Sequence, residues 1–103
     1  MTVRPAGPRL TEQEAALALV SFLETRAYGE ATYKQIWTYL GLPHVQFTRE
    51  DRYVSRRGEP HWHTAVRNIA AHFDKPGNAV REGILVRRTR GGGGFQLASR
   101  RKS

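Results

Sequence analysis

From position 11 onward, apolar side chains recur with a helical period. Ala16, Leu19, Val20 and Leu23 share one face, Leu17 and Phe22 widen it, and Thr11 and Glu14 stand ahead of them at capping-box spacing. In that motif the threonine hydroxyl accepts the N–H of the third residue on, and the carboxylate reaches back to the threonine N–H. The pattern predicts a first helix over about 11–27. Tyr28-Gly29-Glu30 interrupts it, and Tyr33, Ile36, Trp37 and Leu40 then predict a second helix over about 32–40. Gly41 is expected in the left-handed conformation that closes helices, with Leu42 and Pro43 beyond it as a stop.

Residues 44–58 show no clean period. Phe47, Tyr53 and Val54 alternate with Arg49, Arg52, Arg56 and Arg57, which suits a short helix from Thr48 and an ordered loop alike. Pro60, a favoured first-turn residue, opens a third helix that runs to about Phe73. Trp62, Val66, Ile69 and Phe73 fall on its expected buried side. Thr64, Arg67, Asn68 and Ala71 lie opposite, with His61 and His63 at the rims. After a loop at Asp74–Asn78 and a short turn over Ala79–Gly83, Ile84–Arg90 and Phe95–Leu97 read as two strands around the tip Gly91–Gly94. The expected organisation is a flexible lead-in over 1–10, one domain over 11–98 and a basic tail over 99–103.

Charge changes this picture more than length does. Seventeen basic residues against nine acidic ones give +8, and fourteen of the seventeen are arginine. Residues 1–48 hold four of each sign, so the whole excess lies in 49–103. A neutral half joined to a cationic half suggests a scaffold that presents one face to a polyanion. Arginine suits phosphates and guanine edges through its bidentate fork. Other classes recede. With no cysteine there is no disulfide framework or thiol nucleophile, no apolar run approaches the roughly 18 residues of a membrane span, and Met1–Pro5 lacks a signal-peptide core. A cytoplasmic, nucleoid-associated protein is expected. His61 and His63 point to nearly opposite sides of a helix and no HExxH spacing supplements them, so neither a metal nor another cofactor is expected. No paired-carboxylate or nucleophile-elbow pattern marks an enzyme.

Three helices followed by a basic, glycine-tipped hairpin resemble a winged helix-turn-helix domain of α+β class. The likeness is to the modules associated with restriction endonucleases, carried by Ala31–Ile36, Trp62–Asn68 and Gly94–Leu97. It implies a non-catalytic module whose partner is double-stranded DNA, with a nuclease domain or subunit supplied elsewhere. The third helix would enter the major groove with His61, His63, Thr64, Arg67 and Asn68 toward the bases. Arg56, Arg57, Arg87, Arg88 and Arg90 would meet the backbone or minor groove, the last three having no evident internal carboxylate. Some such modules read N6-methyladenine through aromatic and apolar groups, a role that would fall to Phe47, Tyr53 and Trp62. Trp62 also lies on the expected buried stripe, which favours packing for it. The competing class is a protein-interaction winged helix that binds an acidic partner.

Overall fold

Three helices start on the same device. In the computed structural model, which describes residues 2–100, Thr11, Thr32 and Thr48 each accept the N–H of the third residue on. Glu14, Gln35 and Asp51 return the bond to the threonine N–H. These caps open α1 (Glu12–Glu24), α2 (Tyr33–Tyr39) and α4 (Arg49–Arg52). Between α1 and α2 lies β1 (Glu30–Ala31), and α3 (Gly41–His44) follows α2 directly. After α4 come α5 (His61–Ala71), β2 (Leu85–Arg87) and β3 (Phe95–Leu97), then a single 3-10 turn over Ala98–Arg100. The fold is α+β, with one antiparallel sheet in the order β1-β3-β2. Among the described residues no helix is long and apolar enough to cross a membrane.

The core forms where α1 crosses α5 and where the sheet and α3 close on α1. Leu85 pairs with Leu97 and Ala31 with Phe95, which turns these four buried side chains to one face of the sheet. On α1 the buried set is Ala15, Ala18, Leu19, Phe22 and Leu23, rotated from the expected stripe, and Leu17 is 55% exposed. Residues 15–20 are apolar without a break, so spacing alone leaves the buried meridian open. The two small alanines face inward and let the neighbouring elements approach closely.

Other expectations shift for identifiable reasons. Gly41 does not adopt the left-handed conformation; it opens α3. Pro43 falls in the first turn of α3, where its missing N–H costs nothing. The segment around Thr48 resolves into the one-turn α4. Phe73 lies beyond the end of α5 and is 45% exposed, so the buried set there is Trp62, Ala65, Val66 and Ile69. The expected lead-in is held at both ends instead of hanging free. Val3 and Val45 form a parallel bridge, with the Val3 N–H on His44 O at 2.9 Å and the Gln46 N–H on Val3 O at 2.9 Å. Leu10 is buried and donates its N–H to Asp51 Oδ1 at 2.7 Å. Of the expected basic tail, Arg101 and Lys102 lie outside the described residues.

Candidate nucleic-acid interface

The outward face of α5 meets a small hairpin that brings arginines to its N-terminal end. Val54 bridges Pro60, Ser55 donates its N–H to Glu59 O at 3.0 Å, and Gly58 closes the turn at a φ of 78°. The exposed Arg56 and Arg57 occupy the tip. Ser55, Arg57 and Glu59 from this hairpin, with Thr64, Arg67 and Asn68 from α5, line an open cleft of about 460 Å³. Three of the five expected base-facing residues therefore converge on one cleft. His61 shares a neighbouring cleft of about 190 Å³ with Arg9, Asp51, Thr64 and Asn68, and its ring lies 5.1 Å from that of Tyr53.

Arg67 is held from two sides. Its Nη2 donates to Glu59 Oε1 at 2.7 Å, and its guanidinium stands 5.4 Å from the Trp37 ring centroid and 5.7 Å from that of Tyr33. Cation–π contact of this kind steadies an arginine without spending its hydrogen-bond donors. Burial pushes the Tyr33 hydroxyl to a higher pKa, while Arg67 and Arg87 both pull it down. Those two arginines thus act on one tyrosine, Arg67 from α5 and Arg87 from the hairpin of β2 and β3. Arg87 itself lies over the Phe73 ring at 4.3 Å, at the C-terminal end of α5.

The aromatic residues turn mostly inward. His63 stacks on Trp37 at 3.9 Å with an interplanar angle of 15°, and its Nδ1 is buried without a partner among the described residues. Burial pushes its imidazole below the ordinary histidine range; Glu59 acts in the opposite direction and Arg67 adds to the effect of burial. Trp62 is 7% exposed, stacked on Phe47 at 4.6 Å and edge-on to Trp37 at 5.4 Å. Of the three residues assigned to a methyl group, Trp62 is buried, Phe47 is partly buried and stacked on it, and Tyr53, 63% exposed, is the one with most of its ring open to solvent. Stacked and edge-on ring pairs of this kind add about 0.5–1.5 kcal/mol beyond the burial of their area, a packing role for the indole.

The hairpin between β2 and β3 corrects a second expectation, since Arg88 and Arg90 do have an internal carboxylate. Glu30 of β1 accepts from Arg90 Nη2 at 3.3 and 3.2 Å, and Arg88 Nε lies 3.5 Å from the same group. The Arg88 side chain is only 11% exposed and bonds through Nη1 to the Gly93 carbonyl, so it braces the tip from inside. Pairing of β1 with β3 creates this cluster from residues about sixty positions apart. The tip glycines are docked as well: Gly92 O accepts the Tyr33 N–H at 3.3 Å, and Gly92, Gly93 and Gly94 all have positive φ. Their small size serves contact with α2 and β1. The exposed arginines at the hairpin end are Arg87 and Arg90.

Sequence reasoning missed four participants: Glu59, which grips Arg67; Glu30, which grips Arg88 and Arg90; and Trp37 with Tyr33, which floor the site. Only the aromatics left a signal, a pair four apart on one face of α2. Neither a family model, nor a curated protein, nor a solved structure matches this chain.

Proposed function

We propose that this protein is a non-catalytic winged-helix module that binds duplex DNA, with α5 in the major groove. Arg56 and Arg57 at one end of α5, and Arg87 and Arg90 at the other, contact the backbone or minor groove. The observation that carries the reading is the convergence of Thr64, Arg67 and Asn68 with the Arg57-bearing hairpin on one open cleft. These side-chain types match base edges: arginine for guanine, asparagine for adenine and threonine for a thymine methyl. The order of elements, with two strands after α5 and a third after α1, supports the winged-helix assignment. The inward packing of Trp62 and Phe47 gives methyl-specific reading no support, so an unmodified duplex is the ligand we favour.

Salt titration of duplex binding tests the proposal. Neutralised phosphates release counterions, so log affinity should fall steeply and linearly with log salt. Arg56→Ala with Arg57→Ala should make the slope shallower by about 2. Weak, salt-insensitive binding to duplexes, or equal binding to an acidic polypeptide, would instead favour a protein-interaction role.

A further inference from the structure

One carboxylate stands where a surface for phosphates has no use for it. Glu59 lies in the cleft with Arg57 and Arg67, and Arg56 and Arg57 precede it by three and two residues. Its pair with Arg67 is open to solvent, the two side chains being 41% and 49% exposed, and an exposed ion pair adds little stability. Folding therefore gives little reason for it. Only Oε1 is engaged; Oε2 makes no hydrogen bond among the described residues. Arg67, for its part, commits one bond to Glu59, and guanidinium carries five N–H donors.

This leaves a fork of donors and a free acceptor side by side, fixed at 2.7 Å on the outward face of α5 and floored by two aromatic rings. In the major groove a G·C pair shows the complementary set: guanine O6 and N7 accept, and the cytosine N4 amino group donates. An A·T pair offers no such arrangement, because its donor lies beside the adenine N7 and its other partner is an acceptor and a methyl.

We infer that Arg67 and Glu59 together read one G·C base pair, Arg67 on the guanine and Glu59 on the cytosine amino group. The inference rests on the duplex-DNA reading above and adds Glu59 as a specificity-determining residue. The carboxylate costs affinity for phosphates generally and returns it only where a cytosine N–H can be accepted, so it penalises wrong sequences.

The test uses the full chain and duplexes selected from a randomised pool, in which one G·C pair should be invariant. Two synthetic versions of the selected duplex separate the partners. N4-methylcytosine removes the amino hydrogen that faces the groove, and 7-deazaguanine removes the N7 acceptor. The wild-type protein should lose about tenfold in affinity with either. Glu59→Ala should become indifferent to the cytosine methyl, remain sensitive to 7-deazaguanine, and bind unselected duplexes more tightly. Arg67→Ala should show the converse sensitivities. Selected duplexes without an invariant G·C pair, or equal wild-type affinity for cytosine and N4-methylcytosine, would overturn the inference while leaving DNA binding intact. Absence of salt-sensitive duplex binding would overturn both.

Discussion

A β-carbon on Gly94 would stand 2.0 Å from the Ala31 carbonyl oxygen and 2.8 Å from Thr32 Cα, at a φ of 98°. Both backbones would have to part, so Gly94→Ala should cost about 2 kcal/mol or more in denaturant unfolding. Gly58 is the control: its φ is also positive, but nothing lies within 4 Å of the added carbon, and alanine there should cost about 1 kcal/mol. Equal losses at the two sites would mean that the hairpin tip is not docked. His63 carries a pH prediction. Its native pKa is lowered from 6.5 by burial, so the unfolded chain binds a proton more readily than the native one. The stabilisation is therefore complete above about pH 6.5 and fades as pH falls toward the lowered native value. His44 is shifted the same way by burial. Thermal midpoints should drop between pH 7.5 and 5, and His63→Phe, which keeps a ring against Trp37, should make that drop shallower.

At the scale of elements, α4 is a single turn that survives because Asp51 serves two masters. The carboxylate is 1% exposed; Oδ2 takes the Thr48 N–H at 3.0 Å to complete the cap, and Oδ1 takes the Leu10 N–H at 2.7 Å to hold the N-terminal strap. Asp51→Asn turns an amide NH2 toward one of these donors and should cost about 2 kcal/mol. Amide exchange at Leu10 and Thr48 should quicken more than at α1; uniform quickening would place the loss elsewhere. Such local devices are the part of the fold that the chain announces. Thr11 with Glu14, the apolar period of α5 and the strands around the glycines are short-range patterns, and their elements appear close to where they were expected. The buried meridian of α1 was not legible, because an unbroken apolar run fits several faces. Nor were the grips on the arginines. Glu59 and Arg67 are eight residues apart, across a hairpin and two turns of helix, and Glu30 meets Arg90 across sixty. No helical spacing rule reaches either pair.

Across the whole molecule, the excess of positive charge divides into arginines that pair with a carboxylate and arginines that do not. Arg9, Arg67, Arg88 and Arg90 are engaged by carboxylates, whereas the arginines that form no ion pair among the described residues include Arg56, Arg57 and Arg87. If Arg56, Arg57, Arg87 and Arg90 are the phosphate contacts, the log–log salt dependence of duplex affinity should have a slope of about −4. Arg88→Ala should lower stability and leave that slope almost unchanged, since its side chain is buried under the tip. A slope that fell by a full phosphate contact would put Arg88 on the DNA. The antiparallel pairing of β1 with β3 also has a temporal consequence. It joins Glu30 to Gln96 and Ala31 to Phe95, across more than sixty residues of the chain. Closing so large a loop is slow compared with forming the capped helices, so the pairing should belong to the rate-limiting barrier of folding. In stopped-flow experiments Gly94→Ala should then slow refolding and leave the unfolding rate less changed.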